Sequence, residues 1–236
     1  MGGVLNLGRR VVHGCRHVAH FYQRRLKQLA YAVGGVKKSL NGDSGTVALT
    51  FDDGPHPRFT PQALDVLKRF DVPATFFLVG ERVREHPELV QQILAAGHRI
   101  GSHSDSHPDM WTVSSRAALR EYRAGRDSVD RVAGQKSRLF RPPKGWIGIV
   151  QSCITRALGM RVWLWTLAGS DWLPDITAEE ILAEIGTPSS GDVILLHDGL
   201  ERPMGPTALD RSATIGALEK LIPAVQASGL RFVALP

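Results

Sequence analysis

From residue 46 onward, short apolar runs alternate with helical stripes, and one run after another ends in a polar side chain. Thr46-Val47-Ala48-Leu49, Ala74–Val79, Ile100–His103, Arg161–Trp165, Val193–Leu196 and Leu230–Leu235 read as strands. Leu139–Pro143 reads as extended, because a proline restricts the residue before it. Between them lie helical patterns. Leu64, Leu67 and Phe70 follow Thr60-Pro61, which reads as an N-cap and a first helical residue. Leu89, Ile93, Leu94 and Ala96 lie between Pro87 and Gly97; a further helix runs from Ser114 or Ser115 to Ala133, and another over Leu209–Ile222. This alternation predicts an α/β fold: a parallel sheet with helices outside, closed or nearly closed into a barrel.

In such folds the βα loops converge at the C-terminal ends of the strands, where active sites lie. The polar residues at those ends are Asp52 and Asp53 before Gly54-Pro55, His103 with His107 four residues on, Arg141, Asp171 with Trp172, and His197 with Asp198. Side chains alternate faces along a strand, so two neighbouring carboxylates stay together only if the strand is ending. Like charges that close also raise one pKa unless a cation is present. A divalent metal removes the conflict: one carboxylate ligates it while the other stays free as a base. Each feature alone has a plainer reading, an Asp-Asp-Gly-Pro surface turn for instance. Five polar strand ends in succession are hard to assign to chance. One carboxylate and two imidazoles make a facial metal site with open positions. A second carboxylate can then take the water's proton, and a separate histidine can protonate a leaving group. No cysteine belongs to the set, and there is no Gly-x-Ser-x-Gly elbow.

These stretches resemble, in order, the five motifs of the polysaccharide deacetylases of the NodB-homology type, carbohydrate esterase family four. The resemblance covers residues 46–236. Thr50-Phe51-Asp52-Asp53-Gly54-Pro55 is similar to the first motif and Gly101–Pro108 to the second. Phe140-Arg141-Pro142-Pro143, Asp171-Trp172 and Leu195-Leu196-His197-Asp198 follow as the third, fourth and fifth. The resemblance implies a distorted barrel of about seven strands. It implies that Asp52 is the catalytic base and His197 the general acid, with Arg141 and Asp171 positioning them. Asp53, His103 and His107 would bind a divalent metal, commonly zinc, with cobalt or another divalent ion as alternatives. Trp172 and Leu195 would line the pocket for the acetyl methyl group. Two positions depart from the family pattern. Lys144 replaces the usual Tyr or Phe, whose backbone N–H helps hold the oxyanion, and Ala168 replaces the first Asp of motif four. The implied activity is removal of N-acetyl groups from amino-sugar residues of a glycan. An O-acetyl esterase, a deformylase acting on a lipid-linked amino sugar, and an inactive carbohydrate-binding module are the rivals.

Charge divides the chain at the start of this region. Residues 1–38 carry eight positive charges and no acid, two more than the net charge of +6, which leaves −2 for residues 39–236. A sequence pI near 9.7 is thus a property of the N-terminal segment, and no nucleic-acid partner is expected. Val11, Cys15, Val18, Tyr22, Leu26, Leu29 and Val33 fall on one face of a helix over residues 9–33, with Arg9, Arg16, Arg24 and Lys27 on the other. Such a helix can lie on an anionic membrane surface or pack on the main domain. The domain boundary is placed in the turn-rich Asn41–Gly45, giving an N-terminal segment of 1–44 and a catalytic domain of 45–236. A cleavable signal peptide fits poorly and no apolar run reaches membrane-spanning length, so the location is read as cytoplasmic or peripheral to the membrane.

Overall fold

The computed structural model describes residues 25–40, 45–200 and 209–236. A helix over 25–34 (α1) comes first. Then follow β1 (Thr46–Gly54), α2 (Phe59–Arg69), β2 (Thr75–Leu78), α3 (Gly80–Glu85), α4 (Pro87–Ala95), β3 (Arg99–Ser102), α5 (Ser115–Ala133) and β4 (Leu139–Phe140). The second half holds α6 (Ile149–Ala157), β5 (Arg161–Val162), β6 (Leu167–Ala168), α7 (Ala178–Ile185), β7 (Val193–His197), α8 (Ser212–Ala227) and β8 (Arg231–Phe232). Seven strands pair in the order β5-β4-β3-β2-β1-β7-β6, all parallel, and β8 adds to the start of β1. The sheet curls into an incomplete barrel with helices outside, as the alternating pattern predicts.

β1 shows why the sequence folds this way. Val47, Leu49 and Phe51 join the main core against the helices, with Phe76, Leu78, Ile194 and Leu196 from its neighbours. The alternate residues face the interior of the curl: Ala48 packs with Phe77, Trp163, Val193 and Leu235, while Thr50 and Asp52 reach the Arg141 guanidinium. Burial on both faces explains the near-continuous apolar run. The first and last strands of the order, β5 and β6, are joined in sequence by residues 163–166 alone, which span at most about 18 Å. Beside this seam Lys37 pairs in parallel with Trp163, its N–H donating to Val162 O and its O accepting from Leu164 N–H.

Several boundaries differ from the sequence reading. Thr60 is no N-cap: α2 begins at Phe59, and the Thr60 hydroxyl accepts from His56 N–H and donates to Asp198. α8 starts at Ser212 and runs through Pro223 to Ala227, where the sequence reading had stopped before the proline. The expected strand over Arg161–Trp165 is regular for its first two residues, after which the chain crosses the seam. α3, α6, α7 and β6 were not anticipated, although Thr177 and Glu180 form a capping box at the start of α7. Ser114 does cap α5, accepting from Ala117 N–H, and Gly134 closes it in the left-handed region.

Only the last part of the expected N-terminal helix can be compared, since Val11, Cys15, Val18 and Tyr22 lie outside the described residues. Over 25–34 Ala30 docks, 1% exposed, its carbonyl accepting from Ser152 Oγ in α6, and the part-buried Tyr31 packs against the cluster around Met110 and Tyr122. Leu26 and Leu29, which were expected to share one buried or lipid-facing stripe, stand 55% and 50% exposed.

Candidate active site

The aspartate pair does not end its strand. Asp52 pairs with Phe77 and Gly54 with Leu78, so Asp53 is an inserted residue in β1, with φ at 68°. A bulge breaks the two-residue alternation, and that is how neighbouring carboxylates reach one cavity. Ser104, His107, Lys144 and Ser170, on the loops around the same cavity, also have positive φ. Strained backbone of this kind gathers at functional sites, where the surrounding structure holds it in place.

Asp53 Oδ1 lies 3.3 Å from both His103 Nε2 and His107 Nε2, and all three side chains are buried. His103 Nδ1 faces the Arg141 carbonyl at 2.7 Å. A carbonyl only accepts, so Nδ1 carries a proton, and in the neutral form of the ring the Nε2 lone pair faces Asp53. Burial pushes His107 down to about 4, against the pull of Asp53, leaving a neutral imidazole at pH 7. Burial opposes a charged His103 as well, but the Asp52 and Asp53 carboxylates push its pKa up. Burial resists ionisation of Asp53, yet His107 and His103 hold it well below the usual carboxylate range. A carboxylate oxygen and two imidazole nitrogens within 4.8 Å, all with electron pairs converging, fit a divalent cation.

Asp52 is oriented by Arg141, which is completely buried. The guanidinium donates to Asp52 Oδ1 at 2.8 Å, to Thr50 Oγ1 at 2.8 Å, and to Trp163 O and Leu164 O at 3.1 Å each. It also lies over the Phe77 ring, 4.2 Å from the centroid. With one oxygen so engaged, Asp52 presents Oδ2 toward His103 Nε2, 3.6 Å away. Removing one member of a buried pair like this typically costs about 3–5 kcal/mol, because the other charge is stranded.

On the opposite side, His197 ends β7 and its Nδ1 meets Asp171 Oδ1 at 2.7 Å. Burial works against a charged ring here, but the Asp171 carboxylate, with help from Asp53 and Asp52, pushes His197 up to about 9. Asp171 Oδ2 accepts from His197 N–H and from Thr214 Oγ1, and Arg211 donates to the Asp171 carbonyl. Asp198, though adjacent to His197, turns away to Thr60, and burial pushes it up to about 7.

These groups open into one cavity of about 380 Å³, lined by Asp52, Asp53, His103, His107 and His197, with Lys144, Trp165, Trp172, Leu195 and Leu200 around them. All three residues expected to contact substrate line it, and Trp172 meets the His197 ring edge-on. Arg141 and Asp171 stand behind it, each bonded to a lining residue. Sequence reasoning missed Thr50, Thr214, Arg211, Trp165 and Leu200. Thr214 left a trace: it is polar, yet shares a helical face with Ala217, Leu218 and Leu221.

A family model described as polysaccharide deacetylase matches residues 39–163. The chain belongs to the polysaccharide deacetylase family. It is accordingly a hydrolase. A peptidoglycan-N-acetylglucosamine deacetylase of Bacillus cereus is 35% identical over 80% of this chain and 85% of its own length. A chitooligosaccharide deacetylase of Sinorhizobium fredii is 35% identical over 89% and 99%. Among solved structures, the Bc1960 peptidoglycan N-acetylglucosamine deacetylase superposes with a TM-score of 0.77 at 35% identity, over 85% of this chain and 91% of that one. A family pseudoenzyme from Bacillus anthracis superposes with a TM-score of 0.74 at 26% identity, over 85% and 67%.

Proposed function

We propose that this polysaccharide deacetylase removes N-acetyl groups from amino-sugar residues of a glycan, and that Asp53, His103 and His107 hold the divalent cation it uses. The observation that carries this reading is the convergence of those three ligand atoms in the cavity that also holds Asp52 and His197. The relatives' activities on peptidoglycan and chitooligosaccharides point to the same substrate class. Zinc is the first candidate for the cation, with cobalt and other divalent ions to be tested beside it. When bound, such a cation supplies Lewis-acid polarisation of a carbonyl and lowers the pKa of water.

The chain's own residues would then divide the work. Asp52, held by Arg141, takes the proton of the water that adds to the acetamide carbon. Hydrogen bonds within the turn after Arg141 are donated by Gly145 and Trp146. The Lys144 N–H is the donor we assign to the developing oxyanion, and losing one such donor costs on the order of 10²–10³ in rate. His197, charged at neutral pH, gives its proton to the sugar nitrogen as the C–N bond breaks, releasing acetate and a free amine. Trp172, Leu195 and Leu200 offer an apolar wall for the methyl group.

A pseudoenzyme with this fold means that fold alone does not argue for turnover. The ordered Arg141–Asp52 and Asp171–His197 pairs support it here, since a binding module needs neither a base nor an acid. The test is release of acetate or formate from N-acetylated, O-acetylated and N-formylated amino sugars by the metal-loaded protein. Acetate from the N-acetyl substrate is expected. Release from an O-acetyl or N-formyl substrate alone would transfer the reading to an esterase or deformylase.

A further inference from the structure

Lys144 departs from its family's pattern, and its side chain joins two loops. It lines the cavity while its Nζ reaches Asp109 Oδ1 at 2.5 Å and sits 5.0 Å above the centre of the Trp111 ring. Asp109 and Trp111 belong to the segment after His107. There the Thr112 N–H and hydroxyl both donate to Asp109 O at 2.8 Å, closing a tight turn. Met110 anchors that turn, fully buried among Tyr122, Phe140 and Ile147. Trp111 beside it is 50% exposed. An indole held out to solvent by a turn whose neighbouring residue is fixed in the core has not been left exposed by a loose loop. Its exposure costs hydration free energy that burial would recover.

From this geometry we propose that Trp111, Asp109 and Lys144 form a binding subsite for a neighbouring pyranose ring of the glycan. The inference rests on the deacetylase reading for the position of the reacting sugar. The C–H face of a pyranose is apolar and matches an indole face, while its rim of hydroxyls both donates and accepts. Asp109 supplies the acceptor and Lys144 the donor. The two charges nearly cancel, so the subsite suits an uncharged sugar ring. A half-exposed ion pair contributes little to stability, and both members can turn to hydroxyls at small cost. Lys144 is shared between cavity and subsite, so a ring on Trp111 adjoins the sugar whose acetamide enters the cavity.

The test compares an N-acetylglucosamine tetrasaccharide with the monosaccharide, using the metal-loaded full chain and the variants Trp111→Ala, Trp111→Phe and Asp109→Asn. For the tetrasaccharide, Trp111→Ala should raise KM by roughly tenfold with kcat within about twofold, the scale expected for losing an aromatic contact. Trp111→Phe should restore most of that loss, Asp109→Asn should raise KM more modestly, and kcat/KM for the monosaccharide should not change in any of the three. An unchanged tetrasaccharide KM in Trp111→Ala, or an equal loss on both substrates, overturns the subsite. Calorimetric titration of the tetrasaccharide separates this proposal from the deacetylase reading. If the wild-type protein releases no acetate, that reading fails, yet tetrasaccharide binding that disappears in Trp111→Ala still upholds the subsite. Binding that is absent, or indifferent to Trp111, overturns it.

Discussion

At the scale of single residues, the two adjacent aspartates are assigned different work, and that difference can be measured. Asp53→Ala, His103→Ala and His107→Ala should each lose metal and activity together. Asp52→Asn should keep its metal and lose turnover, because Asp52 is turned toward Arg141 and assigned proton transfer. Metal content by mass spectrometry beside kcat decides it: an Asp52→Asn protein that purified without metal, next to a loaded Asp53→Ala, would reverse the pair. His197 yields a pH prediction. Its folded pKa is raised, so the charged, proton-donating form persists through neutrality and is lost as pH rises through about 9. kcat/KM should therefore fall on the alkaline side, and Asp171→Asn should move that fall toward the ordinary histidine value, near 6.5. His197→Ala should slow turnover by about 10²–10⁴ and abolish the alkaline limb. A His197→Ala enzyme with near wild-type rates on an amide would end its assignment as the acid.

Elements bring these residues together by close contact, and one glycine decides how close. Gly125 lies mid-way along α5, against the loop that joins His103 to His107; a methyl group there would come within 2.2 Å of Ser104 O. In an exposed helix Gly→Ala gains about 1 kcal/mol of helix propensity. Here the colliding atom is backbone, so α5 or the ligand loop must move, and overpacking of this sort costs about 1–3 kcal/mol. Gly125→Ala should thus lower both Tm and metal affinity despite its better propensity. A variant with raised Tm and full metal content would show that the loop yields freely. The sequence made much of this legible. The apolar runs of β1, β2 and β7 stand out because both faces of each strand are buried, and Ser114 and Gly134 mark the ends of α5. The bulge at Asp53 was not legible, because nothing in Asp-Asp-Gly-Pro tells a strand that bulges from one that stops. Nor was β6, at two residues too short for a period-two pattern to register.

At the scale of the whole molecule, the eight positive charges of residues 1–38 stand against a net −2 for residues 39–236, and the two parts pose the question of what the basic segment does. The described part of it belongs to the fold. Ala30 is buried against α6, Lys37 bonds across the seam to Val162 and Leu164, and Leu40 N–H donates to Gly191 O. Deleting residues 1–40 removes three backbone hydrogen bonds of about 0.5–1.5 kcal/mol each. At about 2–4 °C per kcal/mol for a domain of this size, Tm should fall by roughly 5–10 °C. Deleting residues 1–24 spares all of those contacts. That shorter deletion removes basic charge and part of the apolar stripe together while leaving those contacts in place. It removes Arg9, Arg10, Arg16 and Arg24, half of the eight basic residues, and leaves α1 with Leu26 and Leu29 exposed. Each basic residue near an anionic bilayer contributes on the order of 1 kcal/mol, within a Debye length of the surface. If the segment is a lipid contact, the full chain should co-sediment with anionic vesicles, release as salt rises, and bind far less without residues 1–24. Turnover of a soluble oligosaccharide should stay the same. Equal and negligible sedimentation with anionic and neutral vesicles would leave α1 as a structural strut, with no part in locating the enzyme.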